Sequence, residues 1–233
     1  MTDRRAALAA GLAAVERRIE TACWAAGRNR SDLTLVVVTK HFPASDVEVL
    51  RALGVTDMGE NRDQEASEKF AGLAERGRLT LHFVGQVQTN KAAHVASYAD
   101  VVHSVDRQRL VVALDGGAAR AGRRLRCLIQ VGLEEEALGR GGAAPDAAVA
   151  LADAVAASEH LDLAGVMAVA PIGADPKVAF ARLGEVAAGI RQAHPNAVWI
   201  SAGMSGDLEA AIGAGATHLR VGTAILGTRA SLR

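Results

Sequence analysis

The chain has 233 residues, half of them hydrophobic, and its 26 basic side chains equal its 26 acidic side chains in number. This length allows one large core, while a formal charge of zero without any basic block argues against nucleic acid or a membrane surface as a partner. The two cysteines show no CxxC spacing, and no segment is typical of a signal peptide or a membrane span, so we expect a cytoplasmic protein.

Apolar strand-like runs alternate with longer helical patterns along the whole chain. After an amino-terminal helix near 4–27, we predict eight strands, at 33–39, 56–60, 80–85, 101–105, 126–132, 163–169, 197–203 and 218–223. The intervening helices are predicted at 44–53, 61–76, 90–97, 107–121, 145–158, 177–193, 205–214 and 224–230. This alternation predicts α/β architecture, with 1–233 as a single (β/α)₈ TIM barrel domain that carries an extra amino-terminal helix.

An open doubly wound sheet is the alternative to this barrel. Such sheets commonly carry a G-x-G-x-x-G turn after the first strand, whereas the turn here reads Lys40-His41-Phe42-Pro43. The barrel is therefore the favoured architecture.

The first predicted strand runs directly into Lys40, at the end of a sheet where α/β proteins keep their functional side chains. Only four of the 26 basic residues are lysines, and the other three, Lys69, Lys91 and Lys177, fall in helical patterns. Because arginine does not lose its proton in proteins whereas a desolvated lysine can, Lys40 is a candidate amine nucleophile or Schiff-base former. The alternative is a strand-end lysine that reaches solvent.

The loops after the last two strands have the composition of a phosphate site. Gly203-Met204-Ser205 places a flexible turn and a hydroxyl immediately before a predicted helix, and Gly222-Thr223 repeats the arrangement one strand later. Barrels often bind phosphate in these two loops, although the same residues also serve as plain turns and helix caps.

Strand eight carries an arginine whose direction follows from alternation. If Leu219 and Val221 pack against the helices, Arg220 points into the barrel, where it needs an acceptor such as Glu60 or a ligand atom. A lysine, a phosphate site and an inward arginine on one face of a barrel together predict a pocket for a phosphorylated aldehyde.

Other kinds of chemistry find little support in the sequence. The seven histidines show no metal-ligand spacing, and no G-x-S-x-G elbow of a serine hydrolase occurs. The glycine-rich segment 134–145 reads as a surface loop, and we assign it no chemistry.

Seven blocks of sequence occur in an order that is specific when taken together. They are Val36–Lys40, Gly59–Glu65, His82–Lys91, His103–Asp106, Gly165–Met167, Gly203–Ile212 and Arg220–Gly227. Through these blocks the chain resembles, from Leu35 to Arg229, the pyridoxal 5′-phosphate homeostasis proteins, also described as YggS- or PROSC-like. Their barrel is similar to the amino-terminal domain of alanine racemase.

The resemblance implies that Lys40 forms the internal aldimine with pyridoxal 5′-phosphate (PLP) and that Arg220 faces the pyridine nitrogen. It also implies a set of further cofactor-binding residues: Ser205, Gly222 and Thr223 at the phosphate, Ser201, Gly203 and Met204 close by, and Asn61 beside the ring. Since a guanidinium cannot accept a proton, the ring nitrogen should stay unprotonated, which weakens its capacity to accept electrons.

We therefore expect a monomeric PLP-binding protein that limits free aldehyde, with PLP-dependent apo-enzymes as the expected recipients and with neither catalytic residues nor a metal. Racemases of related fold add a second domain and a catalytic tyrosine, whereas the single tyrosine here, Tyr98, is predicted to lie behind the helix that follows the third strand. The alternatives are a single-domain racemase or decarboxylase that uses Lys40 as its base, and a Schiff-base aldolase without cofactor.

Three positions depart from the pattern of the family. Phe42 stands where many members carry a second lysine, Arg62 replaces a common tyrosine, and Ala202 replaces a frequent methionine. If that second lysine helps to pass the cofactor on, this chain must use a different route.

Overall fold

The structure is a computed structural model that describes residues 2–73, 76–133 and 141–228. Eight parallel strands close into a barrel in sequence order. They are β1 (Thr34–Val38), β2 (Asp57–Glu60), β3 (Thr80–Phe83), β4 (Val101–Val105), β5 (Leu125–Gln130), β6 (Leu161–Met167), β7 (Trp199–Ser201) and β8 (His218–Val221). The predicted barrel is confirmed, and the open sheet is ruled out because β1 pairs with β8, with Val36 opposite Arg220.

Helices follow the strands as the alternation predicts. They are α1 (Thr2–Ala25), α2 (Ala44–Ala52), α3 (Asp63–Ala71), α4 (Ala92–Tyr98), α5 (Gln108–Arg120), α6 (Ala148–Ala156), α7 (Pro176–Ala193), α8 (Leu208–Gly213) and α9 (Thr223–Leu226). Single 3₁₀ turns precede α4 and α6, at Thr89–Lys91 and Pro145–Ala147. The predicted loop 134–145 and the predicted end of the last helix lie partly outside the described residues.

The main hydrophobic core fills the layer between the strands and the surrounding helices. Leu219 and Val221 belong to this core, together with Leu114 of α5 and Phe180 of α7. Because neighbouring residues of a strand face opposite sides, Arg220 is directed into the barrel, as the alternation predicts. A smaller apolar cluster around Leu128 and Met167 lies apart from this main core.

The amino-terminal helix α1 packs against α2, α8 and α9, and so covers the place where the last βα unit meets the first. Arg4 donates to both carboxylate oxygens of Asp46 in α2 and to the carbonyl oxygen of Leu226 in α9. The helix is therefore an integral part of the barrel wall at this junction. None of the helices among the described residues is long and apolar enough to cross a bilayer.

Candidate functional site

Three of the predicted site residues follow neighbouring strands at one end of the barrel. Lys40 is exposed beyond the end of β1, Asn61 directly follows β2, and Gly222 directly follows β8. The strand register fixes this proximity, because Val38 lies opposite Gly59 and Val37 lies opposite Val221. The carboxyl ends of parallel barrel strands form the face on which barrel proteins place their ligands.

The turn that carries Lys40 is held on both sides by hydrogen bonds. Before it, the Thr39 hydroxyl donates to Glu60 Oε1 at 2.7 Å, and the Thr39 carbonyl oxygen accepts from Lys69 Nζ at 2.9 Å. After it, the backbone N–H of His41 donates to Glu65 Oε1 at 2.5 Å. His41 has φ +68°, in the left-handed region that a residue with a side chain rarely adopts, so this hydrogen bond supports a strained turn.

Lys69 is a functional neighbour that sequence reasoning missed. Its ammonium group is buried and lies 2.6 Å from Glu60 Oε1 and 3.1 Å from Glu65 Oε1. We interpreted Lys69 only as part of a helical pattern. Its position between buried Ala66 and Phe70 on α3, four residues after Glu65, is the signal that could have identified it.

The Glu60 carboxylate at the end of β2 is buried, and neighbouring groups offset only part of the effect of burial on its pKa. Burial raises the pKa of Glu60, and the Lys69 ammonium and the Thr39 hydroxyl oppose this rise. Among the described residues, Glu60 Oε2 and Asn61 Oδ1 are buried without a hydrogen-bond partner. A buried amide oxygen without a partner, next to the lysine turn, is the kind of atom that a bound polar ligand satisfies.

The loop after β7 differs in one respect from its prediction. We expected Ser205 to begin the following helix, but α8 begins at Leu208, and Ser205 lies in a preceding turn. Asp207 closes this turn because its carboxylate accepts the backbone N–H of Met204 at 2.6 Å. Gly203 has φ +92°, and a Cβ atom there would lie 2.6 Å from the Cβ of Ala211, so only glycine fits.

The loop after β8 lies against both the loop after β7 and the end of β1. The backbone N–H of Ala224 donates to Ser205 Oγ at 3.3 Å, which joins the two loops. A Cβ atom at Gly222 would lie 3.0 Å from the carbonyl oxygen of Val38. The missing side chain thus lets the backbone at Gly222 pass close to the end of β1.

Helix α1 is hydrogen-bonded to the loop after β7. Arg18 donates to the carbonyl oxygen of Ser205 at 3.0 Å and forms a two-point ion pair with Glu209, with donor–acceptor distances of 2.7 and 2.9 Å. The hydrogen bond from Arg18 lowers the pKa of Glu209. The amino-terminal helix therefore helps to position Ser205.

Arg220 is buried inside the barrel, but its acceptor is not Glu60. Its guanidinium donates to Ser201 Oγ at 2.6 Å and to the carbonyl oxygen of Ala168 at 2.8 Å. Our suggestion of Glu60 as the acceptor was wrong, because Ser201 and Ala168 take up both terminal nitrogen atoms of the guanidinium. Burial lowers the pKa of Arg220 to about 10, so the group still carries its charge at neutral pH.

The predicted residues thus gather at the ends of four consecutive strands of the closed barrel. Gly203 and Ser201 are buried, Ser205, Asn61 and Gly222 are half-buried, and Lys40, Met204 and Thr223 are exposed. Within residues 2–73, 76–133 and 141–228, no group of three or more His, Cys, Asp or Glu side chains is arranged to hold a metal ion.

A separate surface groove of about 950 Å³ lies between α1, α7 and α8. It is lined mainly by alanines, with Arg17 and Lys177 among its charged residues, and it contains none of the predicted site residues. We place the site at the barrel mouth rather than in this groove, because most of the predicted residues follow the ends of the four consecutive strands β7, β8, β1 and β2 there.

Comparison with known proteins gives matches over nearly the whole chain. The family described as "Alanine racemase, N-terminal domain" matches residues 11–230. The "Pyridoxal phosphate homeostasis protein" of Mycobacterium tuberculosis is 42% identical over 245 residues, covering 97% of this chain and 95% of that protein.

Two solved structures have the same fold over nearly their whole length. A protein of unknown function from Bifidobacterium adolescentis superimposes with a TM-score of 0.90 at 28% identity, covering 97% of this chain and 96% of that one. PipY of Synechococcus elongatus, solved with PLP bound, superimposes with a TM-score of 0.82 at 31% identity, covering 94% of this chain and 100% of that one.

Proposed function

Since this chain belongs to the family of pyridoxal phosphate homeostasis proteins, we propose that it binds PLP at the mouth of its barrel and buffers or delivers this cofactor. The amine of Lys40 condenses with the aldehyde carbon of PLP to a Schiff base and releases one water molecule. The protein thereby limits free aldehyde without a catalytic cycle of its own. The PLP-bound structure of the similar protein PipY supports this assignment.

One observation carries the proposal. Lys40 is exposed two residues beyond the end of β1, and the backbone at Gly222 lies against the same strand end, where the missing Cβ would be 3.0 Å from Val38 O. An aldehyde that carries a phosphate on the far side of a flat ring suits an amine after β1 and a loop with hydroxyl and backbone N–H groups after β7 and β8. We expect the Ser205 hydroxyl and the backbone N–H groups of Gly222 and Thr223 to contact the phosphate.

The remaining predicted residues frame the ring. Asn61 lies beside it and offers the buried Oδ1 atom that otherwise has no partner. Ser201, Gly203 and Met204 form the neighbouring wall. When bound, PLP supplies an aldehyde and an electron-accepting ring, and Arg220 faces the ring nitrogen with donors only.

The position of Arg220 argues for storage rather than catalysis. A charged guanidinium cannot take up the proton that would make the pyridine ring a strong electron acceptor. Because Ser201 and Ala168 already fix two of its nitrogen atoms, the side chain has little freedom to move away. Slow racemisation or decarboxylation is therefore the weaker hypothesis.

The test uses the visible absorption of the protein with PLP, followed by borohydride reduction and mass mapping of the modified peptide. Wild type should turn yellow and carry one reduced adduct on Lys40, while Lys40→Ala should lose both signals. Lys91→Ala is the matched control, because Lys91 is an exposed lysine that follows β3, a strand not paired with β1, and should keep the adduct on Lys40.

Three results would contradict the proposal in different ways. An adduct on another lysine in wild type would remove Lys40 from its role. A colourless protein that traps a sugar phosphate on borohydride reduction would instead favour an aldolase. Rapid exchange of the α-hydrogen of amino acids for deuterium, abolished by Lys40→Ala, would restore the racemase.

Further parts of the proposal concern partners and location. We propose that PLP-dependent apo-enzymes are the recipients, which is tested by activating an apo-enzyme in the presence of a scavenger of free PLP. If the scavenger abolishes activation, delivery is not direct. We also propose a monomer, to be checked by sedimentation, and a reducing cytoplasm, which suits the buried and unpaired Cys23 and Cys127.

A further inference from the structure

A continuous chain of hydrogen bonds crosses the inside of the barrel from Arg220 to Asp57. Arg220 donates to Ser201 Oγ at 2.6 Å, and Ser201 Oγ lies 2.9 Å from His103 Nδ1. His103 Nε2 lies 2.9 Å from His82 Nδ1, and His82 Nε2 lies 3.0 Å from Asp57 Oδ1. We call these five residues the interior relay. They come from β8, β7, β4, β3 and β2.

With neutral imidazole rings, the carboxylate end of the relay sets the direction of its hydrogen bonds. A carboxylate only accepts, so His82 carries its proton on Nε2 and donates to Asp57. His82 Nδ1 then accepts from His103 Nε2, and His103 Nδ1 accepts the proton of the Ser201 hydroxyl. Ser201 in turn accepts from Arg220, because a guanidinium only donates.

The protonation states of the relay residues agree with this direction. Burial lowers the pKa of His103, so the ring is neutral. Burial also tends to raise the pKa of Asp57, but hydrogen bonds from His82 and Thr56 outweigh this effect, and the pKa falls below its ordinary value. The relay therefore joins a buried cation to an ionised carboxylate, with the neutral ring of His103 between them.

The two charged ends lie at different depths of the barrel. Asp57 is the first residue of β2 and lines a surface depression of about 440 Å³, together with Thr34 and Leu35 of β1. Arg220 lies under the loop after β7, where its backbone N–H donates to the Gly203 carbonyl oxygen at 2.9 Å. A carboxylate at one end of the barrel is thus connected to a guanidinium near the proposed ring site.

We propose that Asp57 is a positioning residue for Arg220, acting through Ser201, His103 and His82. With Asp57 ionised, the Ser201 hydroxyl donates its proton to His103 and offers only a lone pair to the guanidinium of Arg220. Without the charge on Asp57, the hydrogen bonds between these residues can reverse their direction. Ser201 then accepts from both neighbours, and its free proton competes with Arg220 for the ring nitrogen. This last consequence rests on the proposed function, whereas the direction of the relay does not.

The first experiment measures proton positions in the full-length protein without ligand. Nitrogen-15 NMR of the imidazole rings should show His82 and His103 as neutral rings protonated on Nε2 in wild type. A proton on Nδ1 of either ring, or a doubly protonated ring, would overturn the relay. The guanidinium N–H signals of Arg220 should also be resolved, because both of its terminal nitrogen atoms are fixed.

The second experiment changes the far end of the relay. Asp57→Ala should broaden or remove the Arg220 N–H signals and should weaken binding of pyridoxine 5′-phosphate about tenfold, the loss expected for a hydrogen bond to a buried charged group. This ligand has no aldehyde, so the measurement does not depend on Lys40. Asp57→Asn keeps an acceptor oxygen without the charge, and we expect an intermediate loss.

The matched control is Asp162→Asn, because Asp162 also lies near the start of a strand and pairs with an arginine, but on the exposed surface. It should leave the Arg220 signals and the affinity unchanged within about twofold. Equal losses in the Asp162 and Asp57 variants, or unchanged Arg220 signals in folded Asp57→Asn and Asp57→Ala, would overturn the proposal. If wild type forms no adduct between PLP and Lys40, the proposed function is wrong, and the imidazole and Arg220 signals still decide the relay.

Discussion

The two faces of the barrel strands differ in chemistry, although alternation places the small apolar cluster around Leu128 and Met167 on the inner face as well. The outer face, between strands and helices, is an apolar layer in which Leu114, Phe180 and Leu219 are fully or almost fully buried. The inner face instead buries His103 and Arg220, linked by hydrogen bonds. The outer layer stabilises the fold through apolar area removed from water, whereas the inner face depends on each polar atom finding a partner. We therefore expect the outer layer to tolerate small changes in side-chain shape, and the inner face to be sensitive to the loss of a single hydrogen-bonding atom.

The largest effect is expected where a charge is buried at the edge of this polar region. Lys69→Met leaves the Glu60 carboxylate without its cation and should lower the free energy of unfolding by about 3–5 kcal/mol. It should also lower the yield of the reduced adduct on Lys40, because Lys69 holds the Thr39 carbonyl oxygen. Denaturant unfolding and borohydride trapping measure these two effects.

The double variant Lys69→Met with Glu60→Leu is the control for this effect. Removing both charges should recover most of the stability, since an apolar pair can replace a buried ion pair. A single variant as stable as wild type would show that the pair contributes little.

A change in the outer layer should affect stability alone. Leu114→Ala removes a fully buried side chain from α5 and should lower the free energy of unfolding by about 3 kcal/mol. Its affinity for pyridoxine 5′-phosphate should stay within about twofold of wild type in the folded protein. A large loss of affinity would show that the two faces are coupled more tightly than we infer.

The inner face should also make stability depend on pH. Burial lowers the pKa of His218 to about 3, whereas the unfolded chain titrates near 6.5. Between these values the unfolded state binds a proton that the folded state does not, so stability falls as the pH falls, by about 1.4 kcal/mol per pH unit for this histidine. The buried His103 adds to the effect in the same direction.

Denaturant unfolding at several values between pH 7.5 and pH 4.5 measures this dependence. The variant His218→Asn should flatten the curve, because its side chain does not titrate. Stability that rises as the pH falls through this range would contradict the neutral state of these rings.

The smallest predicted effect lies at the link between α1 and the phosphate loop. Arg18→Met keeps most of the aliphatic stem but loses the hydrogen bond to the Ser205 carbonyl oxygen, and should weaken binding of pyridoxine 5′-phosphate about threefold. Arg5→Met, on the same helix, is the control and should bind as wild type does. Equal affinities in both variants would show that α1 does not position the loop.

Much of the fold was legible in the sequence because its periodic patterns are local. All eight strands lie within or close to their predicted ranges, since each apolar run is bounded by turn residues and helical patterns. The start of α8 was missed because Asp207 bonds to Met204, and this contact holds the intervening residues in a turn. The inward direction of Arg220 followed from alternation in β8, but its acceptors did not.

Sequence alone determined the barrel, the place of Lys40 at the end of β1 and the glycine turns of the last two loops, because each depends on neighbouring residues. Only the tertiary structure decided that Lys69 holds the lysine turn and that Arg220 is linked to Asp57 through Ser201 and two histidines. These partners lie on different strands and helices, and His103 and Ser201 are 98 residues apart. Such pairings arise when the closed barrel brings polar side chains together away from bulk solvent, where each must find a partner.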